Sequence, residues 1–265
     1  MPTVTSKDGT KIAYDKAGQG LVVILVEGAM GSRQASAELA KLLEPDFTVY
    51  SFDRRGRGES TDTKPYAVQS EVEDIEALIE SAGEAVCLYG ISSGGALALE
   101  AAAQLNGKVK KLAIYEVPYD SSEPGIKAWR EYRTELSELV EADRRADAVA
   151  LFMKFVGVPE EMIEGMRHAP MWHSMERIAP TLVYDAAVLG EDRTVPTSRV
   201  SDITAHTLVM DGGESYRSMP FMRTTAEMLT KTIPNAQHRV IEGQGHDVDT
   251  KVLAPLLTAF FQKEK

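Results

Sequence analysis

The sequence contains a single cysteine, Cys87, and has no long hydrophobic run. One cysteine cannot form an internal disulfide, and it excludes a zinc site built from several thiolates. The longest strongly apolar stretch, residues 21–26, is far shorter than the roughly 20 residues that a membrane-spanning helix needs. The segment from Met1 to Asp8 has no apolar targeting core. These features predict a cytoplasmic protein.

Positive charge is also scarce: the sequence has 29 lysines and arginines but 40 aspartates and glutamates, which gives a net charge of −11. Such a protein repels nucleic-acid phosphates and anionic lipids, so we expect neither nucleic acid nor a membrane as a partner. The chain has 265 residues, of which 43% are hydrophobic, and this is enough to build a buried core.

Several short segments are apolar at almost every position, which is typical of parallel strands that are covered on both faces. They are residues 21–26, 47–52, 85–89, 112–115, 207–210 and 238–241. Helical patterns alternate with them, at residues 35–43, 68–82 and 96–105, and residues 4–15 resemble a hairpin. The alternation predicts an α/β fold with a mostly parallel central sheet and helices on both faces.

The alternation of strands and helices stops between Pro118 and about Thr197. This stretch consists of charged amphipathic helical patterns and a segment rich in methionine. An insertion of this length between two strands indicates a helical cap or lid. We therefore predict a core of residues 1–118 and 198–265, and a cap of residues 119–197.

Residues 90–94 read Gly-Ile-Ser-Ser-Gly, between an apolar strand and a helix rich in alanine and leucine. The pattern Gly-x-Ser-x-Gly in this context predicts a nucleophile elbow, a tight turn that raises the serine above the edge of the sheet. The helix that follows favours the negative charge that develops during reaction. We predict Ser92 as the nucleophile.

A serine hydroxyl needs a base to remove its proton, and five histidines are available. His246 follows the last predicted strand in a loop that contains two glycines, which is the position expected for this base. His206 and His238 begin strands, whereas His168 and His173 fall in the predicted cap. We therefore predict His246 as the base.

The acid that orients the base has three candidates. Glu116 follows the strand of residues 112–115, at the sheet edge where ligands bind in open α/β folds. Asp211 and Glu214 follow the next strand along the chain and remain alternatives. Glu116 is preferred because an acid at the end of a neighbouring strand can reach the same imidazole.

An oxyanion hole needs two backbone N–H groups. One is expected from Ser93, directly after the nucleophile, and the other from Gly28 or Ala29, in the loop after the first parallel strand. The candidates for a substrate pocket are residues of this loop and aromatic residues of the cap, although packing of the cap onto the core explains the latter equally well. They are Glu27, Met30, Trp129, Trp172 and His173. Trp172 and His173 are the preferred cap candidates, because the sequence at residues 169–173 predicts a loop.

These motifs together resemble the α/β-hydrolase superfamily in its capped form, and the resemblance covers nearly the whole chain. The elbow at residues 90–95 and His246 carry it, together with Asp-Arg-Arg-Gly-Arg-Gly-Glu-Ser at residues 53–60, which is similar to a turn of that superfamily. The turn is structural in the superfamily, and this implies that Asp53 and Arg55 hold loops together.

The chain departs from the common pattern in two places. Glu27-Gly28 stands where a His-Gly pair is common, and the usual acid after the strand of residues 207–210 is missing. Both features resemble the fungal zearalenone lactonases, which have an acidic residue before the oxyanion glycine and a Glu after the sixth strand. This resemblance supports Glu116 as the acid.

The resemblance implies a serine hydrolase that cleaves an ester or lactone of a small, largely apolar substrate through an acyl-enzyme. No metal or organic cofactor is expected, and the protein is expected as a monomer or homodimer. Two alternatives stay open. One is a related reaction on the same residues, such as C–C or thioester hydrolysis or perhydrolysis, and the other is a non-catalytic receptor for a small molecule.

Overall fold

A computed structural model describes residues 2–263, and its centre is a sheet of eight strands. The strands are β1 (Thr3–Thr5), β2 (Lys11–Ala17), β3 (Val22–Val26), β4 (Thr48–Phe52), β5 (Val86–Ile91), β6 (Val109–Tyr115), β7 (His206–Gly212) and β8 (Ala236–Ile241). Their spatial order is β1-β2-β4-β3-β5-β6-β7-β8. Strands β1 and β2 form the N-terminal antiparallel hairpin, and every pair from β4 onward is parallel. The predicted α/β fold is confirmed.

The strands are apolar at consecutive positions because both faces of the sheet are covered. In β3, Val23 and Leu25 face one core and Ile24 faces the other. Helices α1 (Ala37–Leu43) and α11 (Thr250–Gln262) pack on the first face. The opposite face carries α2 (Val68–Ala82), α3 (Ser93–Gln104) and α10 (Phe221–Thr232). Side chains of a strand alternate between faces, so an uninterrupted apolar run fits this two-sided burial.

A helical insertion lies between β6 and β7. It contains α4 (Glu123–Glu141), α5 (Arg145–Phe155), α6 (Glu160–Arg167), α7 (Met171–Ile178), a 3-10 turn (Ala179–Thr181), α8 (Leu182–Leu189) and α9 (Thr197–Val200). Helix α8 packs against α3, the helix that begins just after Ser92. That the insertion acts as a lid remains a prediction. Among the helices of residues 2–263, none combines the length and hydropathy needed to cross a bilayer.

The turn at residues 53–60 joins distant parts of the core. Asp53 is buried and forms an ion pair with Arg33. Arg55 is also buried, and its guanidinium donates to Asp74 at 2.7–2.8 Å and to Asp8 at 2.8 Å. These charged hydrogen bonds connect the N-terminal hairpin to α2, which fits the structural role that the resemblance implies for this turn.

Candidate active site

Ser92 lies on a tight turn between β5 and α3. Its backbone has φ of +55° and ψ of −130°, a conformation that side-chain-bearing residues rarely adopt. The flanking glycines are needed for close packing: a Cβ at Gly90 would lie 2.6 Å from the Gly94 carbonyl oxygen, and one at Gly94 would lie 2.3 Å from the Val26 oxygen. The Gly-x-Ser-x-Gly spacing therefore reflects sterics at the contact between α3 and the sheet.

Strained backbone gathers at the strand ends around Ser92. Five residues other than glycine have positive φ in the described part of the chain, and three of them are Met30 at +61°, Ser92 at +55° and Glu116 at +45°. They follow β3, β5 and β6, which are neighbours in the sheet. Such conformations cost of order 1–3 kcal/mol each and persist where the surrounding structure enforces them, often at functional sites.

His246 is joined to Glu116. Its ring nitrogen Nδ1 lies 2.8 Å from the Glu116 Oε2 atom, and the second carboxylate oxygen, Oε1, accepts the Gly212 N–H at 2.8 Å. The Glu116 carboxylate is fully buried, whereas a third of the His246 side chain is exposed. A carboxylate on Nδ1 fixes the tautomer in which that nitrogen carries the proton, which leaves Nε2 free to accept one.

The loop that carries His246 is fixed to the ends of β6 and β7. The Tyr115 hydroxyl donates to the Gly245 carbonyl oxygen, and the Glu214 N–H donates to the Gln244 oxygen at 2.8 Å. A Cβ at Gly212 would lie 2.4 Å from that same Gln244 oxygen, so the close approach requires glycine. Hydrogen bonds from the ends of both strands thus hold the imidazole near Glu116.

The two alternative acids are engaged elsewhere. Asp211 is buried, pairs with the His238 ring and accepts from Arg223 Nε at 2.5 Å. Glu214 is half exposed and pairs with Arg217 at 3.2 Å. Residues 2–263 contain no cluster of three or more His, Cys, Asp or Glu side chains placed to hold a metal ion. Of the three candidate acids, the structure brings Glu116 alone to His246.

Ser92 and His246 lie at the same edge of the sheet, after β5 and β8. The Ser92 N–H donates to the Tyr115 oxygen at 2.9 Å, which attaches the elbow to the residue just before Glu116. No hydrogen bond joins the Ser92 hydroxyl to His246 within residues 2–263. Catalytic hydrogen bonds are often long without substrate and tighten when it binds.

The predicted oxyanion loop lies against Ser92. A Cβ added to Gly28 would be 3.0 Å from the Ser92 Cβ atom and 3.7 Å from its Oγ atom. Ser93 is the first residue of α3, where the N–H groups have no acceptor within the helix. Backbone donors from both segments therefore flank Ser92, and a glycine at position 28 gives the space that this approach needs.

A buried charged cluster behind the elbow was not anticipated from the sequence. Asp185 of α8 accepts hydrogen bonds from Arg54 at 2.6 Å, from Arg57 at 2.6 Å and from the Ser93 hydroxyl at 2.8 Å. Asp185 lies 131 positions after Arg54, in the insertion. Its flanking sequence, Val-Tyr-Asp-Ala-Ala, matches no motif. The available signal was a single carboxylate within an otherwise apolar helical segment.

The contacts that the structure shows for the predicted aromatic pocket residues lie within the insertion. Trp129 is buried, stacks on Tyr132 with ring centres 5.4 Å apart, and donates to the Gly190 oxygen. Trp172 is buried and donates to Glu176, whereas the His173 side chain is 82% exposed. The loop conformation expected around these last two is wrong, because α7 begins at Met171 and its helical spacing places them on different sides. A pocket role for the three aromatic residues stays a prediction.

Glu27 is a partly buried carboxyl beside the oxyanion loop, and its Oε2 atom would lie 3.2 Å from a Cβ at Gly31. Burial raises the pKa of Glu27 to about 7, although the positive charge of Arg57 and a hydrogen bond with Ser36 act in the opposite direction. The ordinary value is 4.5. Glu27 therefore changes charge near neutral pH.

Glu27→Gln is expected to flatten the dependence of stability on pH. The folded protein holds the Glu27 proton more tightly than the unfolded chain between about pH 4.5 and pH 7, so this contribution to stability is complete at low pH and is lost as pH rises through 7. The free energy of unfolding can be measured in urea at several pH values. As the pH rises from about 4.5 to above 7, it should fall by up to about 3 kcal/mol more in the wild type than in Glu27→Gln. The exposed control Glu214→Gln should follow the wild type, and parallel curves for Glu27→Gln and wild type would contradict the prediction.

Several known proteins are similar to this chain in sequence or in fold. The profile of the alpha/beta hydrolase family matches residues 23–254. An alpha/beta hydrolase from Sphaerobacter thermophilus is 45% identical, with a TM-score of 0.89 over 98% of this chain and 100% of that one. An esterase from Exiguobacterium antarcticum has a TM-score of 0.74 at 22% identity, over 98% of this chain and 99% of that one. A proline iminopeptidase from Pestalotiopsis fici is 32% identical over 114 residues. The match spans 40% of this chain and 41% of that relative, which is less than half of its length.

Proposed function

Because the chain belongs to the α/β-hydrolase family, we propose that it is a serine hydrolase acting on carboxylic esters or lactones of small, largely apolar substrates. The observation that carries the proposal is the Glu116–His246 pair, at 2.8 Å, on the sheet edge where Ser92 occupies its strained turn. A nucleophile, a base held by a buried carboxylate and two flanking backbone donors are the groups that acyl transfer needs.

In the proposed reaction, His246 Nε2 takes the proton of the Ser92 hydroxyl as its oxygen attacks the substrate carbonyl carbon. The negative charge of the tetrahedral intermediate falls on the former carbonyl oxygen, which the N–H groups of Ser93 and of Gly28 or Ala29 stabilise. His246 then gives its proton to the leaving alcohol. A water molecule, activated by the same imidazole, attacks the acyl-enzyme and releases the acid.

Glu116 contributes electrostatically. Its buried carboxylate stabilises the imidazolium that forms when His246 accepts the serine proton, and it is itself held by the Gly212 N–H. The second hydrogen bond matters because it prevents rotation of the carboxylate away from the ring. In this scheme Glu116 keeps its hydrogen bond with His246 Nδ1 and takes no part in the proton transfer.

A proline iminopeptidase activity is the second candidate, since the relative from Pestalotiopsis fici carries that name. The same nucleophile and base can cleave an amide, although an amine is a poorer leaving group than an alcohol and needs protonation by His246. Rates on L-proline p-nitroanilide and on p-nitrophenyl acetate would separate the two candidates. Hydrolysis of a lactone such as γ-butyrolactone, measured by the release of acid, would test the lactonase part of the proposal.

A fluorophosphonate probe tests the proposal directly, because it phosphonylates an activated serine. We expect one adduct, on the peptide that contains Ser92, located by mass spectrometry. His246→Ala should slow labelling by roughly a thousandfold, since the hydroxyl then lacks its base. Asp211→Asn should label at nearly the wild-type rate. A folded protein that is not labelled at Ser92, but is stabilised by an apolar ligand, would support the receptor alternative instead.

A further inference from the structure

Asp185 connects the helical insertion to every backbone group expected in the oxyanion hole. It lies in α8 and is buried, and both of its carboxylate oxygens are engaged. Oδ1 accepts from Arg54 and from the Ser93 hydroxyl, and Oδ2 accepts from Arg57. Burial acts to raise the pKa of Asp185, but the charges of Arg57 and Arg54 outweigh it and lower the pKa. The carboxylate is therefore ionised at neutral pH.

The first connection is to Ser93. Its N–H group is the expected donor after the nucleophile, and its hydroxyl donates to Asp185 at 2.8 Å. A charge-assisted hydrogen bond of this kind is stronger than one between neutral groups. The bond holds the first residue of α3 in place from the side of the insertion, and with it the orientation of the Ser93 N–H.

The second connection runs through the arginines to the oxyanion loop. Arg57 donates to the Gly28 carbonyl oxygen at 2.6 Å, and Arg54 donates more weakly to the Glu27 oxygen at 3.4 Å. In a planar trans peptide the N–H points opposite to the carbonyl. Holding the Gly28 carbonyl therefore orients the N–H of Ala29, and holding the Glu27 carbonyl orients the N–H of Gly28.

The two arginines do not depend equally on Asp185. Arg54 also binds both oxygens of Glu71, at 2.7 and 2.8 Å, so it stays anchored without Asp185. Arg57 has Asp185 as its carboxylate partner in residues 2–263, with the Thr181 hydroxyl as a neutral acceptor at 3.0 Å. Loss of the Asp185 charge would thus release Arg57 and Ser93 first, and with them the Ala29 and Ser93 N–H groups.

We propose that Asp185 is a positioning residue, which sets both halves of the oxyanion hole from within the helical insertion. This inference rests on the proposed hydrolase function. The insertion would then contribute to the reaction itself. Hydrogen-bond donors stabilise an oxyanion effectively only when they are aligned before the charge develops, and Asp185 would provide that alignment.

Asp185→Asn tests the proposal because it preserves shape and removes charge. We expect kcat for p-nitrophenyl acetate to fall about ten- to hundredfold, less than the loss of a whole oxyanion donor. KM should change by no more than about threefold, since the hydrogen bonds are strongest in the transition state. The Ki of a trifluoromethyl ketone, which forms a tetrahedral oxyanion adduct on serine, should rise by about the same factor as kcat/KM falls.

Asp74→Asn is the matched control. Asp74 is buried like Asp185 and binds Arg55, which lies in the same turn, residues 53–60, as Arg54 and Arg57. Arg55 contacts Asp74, Asp8 and the Ser70 oxygen rather than the oxyanion loop. It should lose stability as Asp185→Asn does, with kcat within about twofold of the wild type. Equal losses of kcat in both variants would mean a purely structural role and would overturn the proposal.

Ser93→Ala keeps the experiment decisive if Asp185→Asn fails to fold. It removes the hydroxyl but retains the backbone N–H and both ion pairs. We expect kcat to fall several-fold, with a parallel rise in the Ki of the ketone. Where Asp185→Asn does fold, adding Ser93→Ala to it should have little further effect. Wild-type rates and ketone affinity in Ser93→Ala would overturn the inference. A wild-type protein that neither hydrolyses esters nor reacts at Ser92 would instead refute the proposed function.

Discussion

Ser92→Ala is expected to lower kcat for a short p-nitrophenyl ester by at least about 10⁴-fold. The covalent route is lost with the hydroxyl, and the remaining groups can only bind the substrate and stabilise its oxyanion. Steady-state kinetics at saturating ester, with the amount of folded protein checked by native mass spectrometry, would measure the effect. The variant should also resist the fluorophosphonate probe completely.

The fold should survive this substitution. Ser92 is only partly buried, its hydroxyl forms no hydrogen bond in residues 2–263, and alanine is as costly as serine at φ of +55°. The melting temperature should therefore stay close to that of the wild type. Ser174→Ala, on the exposed side of α7, provides a serine control with unchanged kcat. Ser92→Ala protein that retains a tenth of the wild-type rate would show that Ser92 is not the nucleophile.

Glu116→Gln is expected to have the second largest effect, a loss of roughly 10³–10⁴-fold in kcat. The amide oxygen can still accept the Gly212 N–H, which turns the NH₂ group toward His246 Nδ1. That nitrogen must then accept a hydrogen bond, so the ring proton moves to Nε2, the atom that should receive the proton of Ser92. Histidine tautomer populations from ¹⁵N NMR of both proteins would reveal the switch.

Two acidic neighbours serve as controls for Glu116→Gln. Asp211→Asn alters a carboxylate bound to His238 and Arg223, so we expect lower stability and nearly unchanged kcat. Glu214→Gln alters a half-exposed ion pair with Arg217, which contributes at most about 1 kcal/mol, and should change neither. If Asp211→Asn lost more activity than Glu116→Gln, the assignment of the acid would be wrong.

The fold could be predicted because its signals are local. Uninterrupted apolar runs marked the parallel strands, and the predicted helix at residues 68–82 coincides with α2. The elbow was recognisable because a tight strand-to-helix turn requires glycine at fixed distances from the serine. The loop predicted at residues 169–173 is wrong from Met171 onward, where α7 begins. Ala169-Pro170 resembles a helix-breaking sequence, yet proline is tolerated at the start of a helix.

The sequence favoured Glu116 as the acid but left Asp211 and Glu214 open as alternatives. Glu116, Asp211 and Glu214 all come after apolar runs that predict parallel strands, so this pattern does not separate them. The choice depends on which carboxylate His246 reaches from the loop after β8, and Glu116 is 130 positions away from His246 along the chain. His238, at the start of a predicted strand, lies across from β7 and pairs with Asp211.

The sequence by itself determined the α/β architecture, the position of the elbow and the shortage of positive charge and thiols. Each of these follows from the period of hydrophobicity, from steric limits within a few residues, or from composition. The tertiary structure alone decided that Glu116 lies against His246 and that Asp185 reaches Ser93, Arg54 and Arg57. The physical reason is that a buried charge is tolerable only beside partners, and the folded chain draws those partners from distant segments that no local pattern connects.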